Sequence, residues 1–138
     1  AETTLVHGDC KPSQFFVGAE RVALLDFDHC GMADPASDVG NFLATLRQQG
    51  VGLALKERKE SEAVTATIAR LALLEEAFLT AYMAARGCPP AFRWRATWYQ
   101  AETLLRKALR SFSRSTRSPL PARLVQEAWR CLATLPAA

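Results

Sequence analysis

The sequence has no run of about eighteen apolar residues, the length a helix needs to cross a bilayer. Its first residues, Ala1-Glu2-Thr3-Thr4, carry neither the basic nor the apolar stretch of a secretory signal, so a cytoplasmic protein without membrane contact is expected. The four cysteines, Cys10, Cys30, Cys88 and Cys131, stand far apart, with no C-x-x-C pair and no His/Cys ligand spacing. That spacing argues against a zinc site or a redox dithiol and for free thiols. There is no internal repeat, and the Ser/Arg-rich stretch from Ser113 to Pro121 is too short to count as low complexity.

What is present fits one soluble domain: 138 residues, 49% hydrophobic and 22% charged, enough to bury a core. The net charge of +3 is too mild to imply nucleic acid by itself, but it is unevenly spread. Residues 1–46 set Lys11 and Arg21 against seven acids, a net −5, while residues 47–138 carry 15 basic and seven acidic side chains, a net +8. The acidic segment suggests a cation site, and the basic remainder reads as solvated helix faces.

The fold class expected is α+β and mostly α. Leu5-Val6 reads as a strand, His7 to Gln14 as a polar loop, and Phe15 to Val17 with Val22 to Leu25 as a hairpin about the Gly18-Ala19-Glu20 turn. A loop follows Asp26-Phe27-Asp28. Asp34-Pro35 then reads as the cap and first position of a helix carrying Val39, Phe42, Leu43 and Leu46, ended by Gly50 and Gly52. A second helix, capped by Ser61, runs to about Arg86 with Val64, Ile68, Leu71, Phe78 and Tyr82 on one face. A third, Phe92 to Phe112, uses Leu104, Leu105, Ala108, Leu109 and Phe112. A last one opens at Pro121 and carries Leu124, Val125, Ala128, Trp129 and Leu132.

The chemistry concentrates in His7-Gly8-Asp9-Cys10-Lys11-Pro12-Ser13-Gln14 and in Asp26-Phe27-Asp28, which begins twelve residues after Gln14. Phosphoryl transfer needs a carboxylate to orient the attacking hydroxyl and take its proton, and oxygen ligands that hold magnesium on the nucleotide phosphates. A loop followed by a hairpin that returns an aspartate beside it meets both needs. Asp9 is then the base, and Gln14, through its amide oxygen, and Asp26 are the metal ligands.

With Asp34-Pro35-Ala36-Ser37-Asp38-Val39 added, these segments resemble the aminoglycoside phosphotransferase and choline kinase family. The likeness lies in its H-G-D-x-x-x-x-N loop, its hydrophobic-Asp-Phe/Trp segment and its Asp-Pro-x-x-Asp element, in order, over roughly residues 5–46. The resemblance implies a protein-kinase-like C-terminal lobe spanning residues 1–138, with the N-terminal nucleotide lobe absent from this chain, so that the fragment alone is expected to be inactive. It implies Mg2+ as cofactor, ATP (or GTP) as co-substrate and a small-molecule alcohol as acceptor. By the same resemblance Asp9 is the catalytic aspartate, Asp26 the principal magnesium ligand, and His7 and Asp38 structural supports of the loop; Lys11 either touches a phosphate oxygen, as lysines at this loop position do in the related serine/threonine protein kinases, or is solvated. Gln14 departs from the family's Asn: the amide oxygen survives, but one added methylene moves it by about an ångström, and magnesium demands near-ideal geometry.

Plainer roles stand beside these. Asp28 lies past the strand end, where it supports the site or meets solvent rather than ligating, and Asp34 is a helix cap. The charge of Asp9 raises the thiol pKa of Cys10, which argues against a nucleophile there. Trp94, Trp98 and Tyr99 read as packing residues rather than a nucleic-acid surface, and the Arg106, Arg110, Arg114 and Arg117 series as a solvated face. The basic helical part argues for a neutral or anionic acceptor rather than a polyamine. Two other classes remain open: a non-catalytic degenerate kinase lobe that binds a partner, and a metal-dependent hydrolase using Asp9, Asp26 and Asp28. Apolar surface about Leu5, Phe15, Phe16 and Leu24 predicts self-association or pairing with the missing lobe.

Overall fold

The computed structural model describes residues 3–56 and 61–136. Four short strands come first: β1 (Thr4–Val6), β2 (Phe15–Val17), β3 (Val22–Leu24) and β4 (Gly31–Ala33). They form two antiparallel pairs, β1 with β4 in the register Thr4↔Ala33 and β2 with β3 in the register Phe15↔Leu24. Four helices follow: α1 (Ala36–Lys56), α2 (Ser61–Arg86), α3 (Ala91–Arg114) and α4 (Leu120–Ala133). The result is the mostly helical α+β layout expected. Among the described residues no helix is long and apolar enough to cross a membrane.

β4 is an addition to the sequence reading. Gly31-Met32-Ala33 lacks the β-branched residues and alternation that mark a strand, and pairing with β1 supplies what local sequence does not. α1 begins as expected: Asp34 Oδ1 accepts the N–H of Ala36 at 3.0 Å, satisfying one of the free amides of the first turn. The proposed cap at Ser61 concerns a side chain outside the described residues.

The expected stop at Gly50 and Gly52 is corrected: α1 runs on to Lys56. A Cβ on Gly50 would come within 2.5 Å of Leu71, so this glycine serves the close approach of α2 rather than termination. α1 is the hub of the helices. Its Val39 and Leu43 pack with Leu79, Phe92 and Ala96, its Ala44 with Leu104, Leu124 and Ala128, and its Val51 and Ala54 with Val64 and Ile68. Each fully buried leucine among these contributes about 1.5–3 kcal/mol. At the same centre Arg47 is buried, donating through Nε to Glu75 and through a terminal nitrogen to Glu127, each at 2.8 Å.

The buried faces of α3 and α4 also differ from expectation. Leu104, Ala108, Leu124 and Ala128 are inside, whereas Leu105, Leu109, Phe112, Val125 and Trp129 are exposed. The stripe of α3 that meets α1 is built from Ala96, Ala101 and Ala108, because small side chains let the two backbones approach. The bulkier residues are turned outward. Trp94 and Trp98 are about half exposed, Trp98 packing edge-on against Tyr99.

Candidate active site

The loop from His7 to Gln14 leaves β1 and enters β2 through a 3-10 turn at Pro12–Gln14. Gly8 adopts φ +79°, and a Cβ there would fall 2.1 Å from the carbonyl oxygen of His29, so only glycine fits. The amides of His7 and Gly8 both donate to the carboxylate of Asp38, to Oδ2 at 2.6 Å and Oδ1 at 2.9 Å. His7 Nε2 donates to the carbonyl of Leu25 at 2.7 Å, and its Nδ1 faces the N–H of Asp9 at 3.3 Å. These two bonds define one neutral tautomer and tie the loop to the end of the hairpin.

One more residue of α1 takes part that the sequence reading did not single out. Asn41 Nδ2 donates to the carbonyl of Cys10 at 2.9 Å. Asp38 and Asn41 are three apart and share a helix face, so α1 grips the loop on either side of Asp9. The signal was legible in that spacing, once Asp38 was assigned a bracing role.

The hairpin explains how Gln14 meets Asp26. With Phe15 opposite Leu24, the next pair outward is Gln14 and Leu25, and Leu25 N–H donates to Gln14 O at 2.9 Å. The following residue, Asp26, turns into the left-handed region at φ 66°, a conformation tolerated by Asp but sparse for most residues. Gln14 Nε2 then donates to Asp26 Oδ2 at 2.6 Å. Gln14 is buried and Asp26 exposed. The hairpin is in turn anchored to the helices by Phe15 edge-on to Phe42, which stacks on Phe78.

Asp9 is half-buried, and its carboxylate is paired with Lys11. Burial opposes ionisation of Asp9, but the hydrogen bond and charge of Lys11, the Asn41 amide and the charge of His29 outweigh it. Together they hold the carboxyl below its ordinary value of 3.8. The group is therefore ionised at neutral pH, as a proton acceptor must be. The neighbouring Cys10 thiol is pushed up to about 12 by burial and by the charges of Asp38 and Asp9, which disarms it as a nucleophile. Asp28 is exposed and makes no hydrogen bond or ion pair among the described residues.

Asp9 lines a cleft of about 650 Å³ between the loop and α3. The loop side presents Asp9 and Lys11; the opposite side presents Glu102, Arg106, Lys107 and Arg110. Arg106 and Arg110 are exposed, as expected of a solvated face, and also border this cleft. Asp34, besides capping α1, accepts from Arg95 at 2.8 Å and joins α1 to α3.

Magnesium takes oxygen ligands and keeps waters and nucleotide phosphates in the rest of its shell, so two protein oxygens suffice. Among the described residues no three His, Cys, Asp or Glu side chains converge as a metal cage. Gln14 and Asp26 adjoin, but the amide nitrogen of Gln14 faces Asp26 Oδ2, so the pair meets this sparser requirement only with that amide turned over. No curated protein and no solved structure matches the chain. The sequence profile of the phosphotransferase enzyme family matches residues 1–74, more than half the chain, taking in the loop, the hairpin, α1 and the first half of α2. The segment that the family profile covers is the one whose loop, hairpin and helix converge on Asp9, and the chain belongs to the phosphotransferase enzyme family.

Proposed function

We propose that the chain is the C-terminal lobe, of protein-kinase-like fold, of a small-molecule phosphotransferase that moves the γ-phosphoryl group of ATP, or of GTP, to an alcohol. The observation that carries this reading is an ionised Asp9 on a cleft wall, in a loop held from both sides by α1 and tied through His7 to the hairpin base that carries the Gln14–Asp26 pair. Asp9 orients the acceptor hydroxyl and takes its proton as the oxygen attacks phosphorus. The new O–P bond forms as the bond to the bridging oxygen breaks, and the nucleoside diphosphate leaves with that electron pair.

Gln14 and Asp26 would hold magnesium, which when bound neutralises charge on the nucleotide phosphates. Gln14 reaches that role by turning its amide so that Oε1 replaces Nε2 on the Asp26 side. His7 and Asp38 keep the loop in register, and Lys11 is within reach of a phosphate oxygen when it leaves Asp9. Catalysis of this kind is mostly positioning and electrostatics, which the bracing of the loop supplies. A cytoplasmic location accords with ATP as co-substrate.

The strands expose Leu5, Phe16, Val17, Val22 and Met32, with Leu25 beside them, whereas Phe15 and Leu24 of the expected surface are half-buried. An apolar face beside a nucleotide site supports pairing with the nucleotide-covering lobe of the family. Sedimentation of the 138-residue chain alone tests this: monomers that bind no added lobe contradict it.

Calorimetric titration of the full-length gene product with Mg-ATP tests the metal assignment. Asp26→Asn weakens Mg-ATP binding by about tenfold or more and leaves binding of metal-free ATP unchanged; equal effects on both would refute it. The donation from Gln14 Nε2 to Asp26 favours one second reading, a non-catalytic partner-binding lobe in which this pair is a closed structural contact. That reading predicts no Mg-nucleotide binding at all.

A further inference from the structure

We propose that the cleft beside Asp9 takes alcohols that carry an anionic group, a carboxylate or a phosphate, seated on Lys107 and Arg110 of α3 with Arg106 beside them. The proposal rests on the phosphotransferase reading and names its acceptor class. Residues 106, 107 and 110 lie on one helix face by the i, i+3, i+4 rule, and that face forms the wall opposite the loop.

The charge balance of the cleft decides its sign. Lys11 is paired with Asp9, and Arg106 with Glu102 at 2.6 Å. Asp38 is committed to the amides of His7 and Gly8. Lys107 and Arg110 make no ion pair and no side-chain hydrogen bond among the described residues. Asp38 keeps its charge, and four cations, Lys11, Arg106, Lys107 and Arg110, against three carboxylates, Asp9, Asp38 and Glu102, still leave the cleft positive. Lys107 registers the crowding: burial lowers its pKa, Asp9 acts in the other direction, and the fields of Arg110, Lys11 and Arg106 lower it further. An anion in the cleft relieves that repulsion, whereas a polycation adds to it.

The cleft's size of about 650 Å³ suits a small metabolite. Trp98 and Tyr99, edge to face at 5.1 Å, offer its wall an apolar surface for a carbon frame. Nucleotide phosphates would also be anions, but Gln14 and Asp26 do not line this cleft. The positive wall thus faces Asp9 from the acceptor side.

The experiment is calorimetric titration of the full-length protein with D-glycerate and glycerol 3-phosphate, and with glycerol and kanamycin as comparisons, each with and without saturating Mg-ADP. The anionic alcohols bind about tenfold or more tightly than glycerol, kanamycin does not compete, and Mg-ADP leaves the anionic binding in place. The pair Lys107→Gln with Arg110→Glu abolishes the preference, and Arg110→Lys retains it; Arg110 is exposed and Lys107 half-buried, so unchanged melting curves check the fold. Kanamycin binding more tightly than the anions, no anionic binding, or an unchanged preference in the double variant overturns the proposal. Loss of anionic binding on adding Mg-ADP would assign the cations to nucleotide phosphates and also overturn it. Because the readout is binding, anionic binding without any ATP turnover would leave this site standing and refute the phosphotransferase reading alone.

Discussion

The carboxylate of Asp38 accepts the backbone N–H of His7 at 2.6 Å across 31 residues of sequence. Its other oxygen accepts the N–H of Gly8, so one side chain from the start of α1 fixes the loop that presents Asp9. Backbone amides bonded to a carboxylate are among the stronger neutral-to-charged contacts in proteins. They convert the position of a helix into the position of a reacting group.

Replacing Asp38 by Ala removes both acceptors and costs about 2–3 kcal/mol in chemical denaturation. Asp38→Asn keeps one acceptor oxygen and loses about half of that. If both variants melted like the wild type, the bracing would be without energetic weight.

The Lys11–Asp9 pair makes a prediction about pH. The Asp9 carboxyl is held below its ordinary 3.8, so its contribution to stability is fully present above that value and is lost as pH falls through the lower folded value. Lys11→Ala removes the leading stabilising partner and raises the Asp9 pKa, which carboxyl-carbon NMR titration reads directly. An unchanged titration in the variant would contradict the pairing.

Gly40 sits where α1 crosses α3. A Cβ there would lie 2.5 Å from Cβ of Tyr99 and 2.7 Å from the backbone nitrogen of Gln100, atoms that move only with the helix. Gly40→Ala gains about 1 kcal/mol of helix propensity and loses more to overpacking, which typically costs about 1–3 kcal/mol. The variant is expected to melt lower; a higher melting temperature would mean that the two helices separate freely.

Arg47 is buried between Glu75 and Glu127, with Gln100 also donating to Glu75 at 3.0 Å. Burial disfavours its charge, but the two carboxylates outweigh that and hold it protonated. Arg47→Met leaves Glu75 buried without its cation, while Glu127 keeps Arg130 at 2.8 Å, and costs about 3 kcal/mol. Arg47→Met combined with Glu75→Leu recovers part of the loss, because removing the unpaired acid removes its desolvation penalty as well, while Glu127 stays paired with Arg130. Denaturant curves of the two proteins distinguish these outcomes.

Much of the site was legible in the sequence because it is local. The apolar runs around Gly18 define a hairpin, and a hairpin starting at Phe15 must return near Gln14, which carries Asp26 with it. The cap at Asp34 followed from its chemistry in the same way. What escaped depends on tertiary docking. Gly50 reads as a stop signal until Leu71 is seen packed against it, and β4 exists only because β1 lies alongside. Arginines spaced by four residues describe a helix face, but whether that face meets solvent or a cleft is decided by how α3 rolls against α1. The alanines of α3 settle that roll, turning Leu105 and Leu109 outward and Arg106, Lys107 and Arg110 toward Asp9.

The most direct measurement of the central claim is phosphorus NMR of ATP with magnesium and a panel of neutral, anionic and cationic alcohols, comparing the full-length gene product with its Asp9→Asn variant. The account predicts a new phosphomonoester resonance and release of ADP with the wild type. It also predicts a loss of about 10²-fold or more in the variant, the weight of a positioned general base. Equal turnover by Asp9→Asn, or no nucleotide consumption with any acceptor, would contradict it.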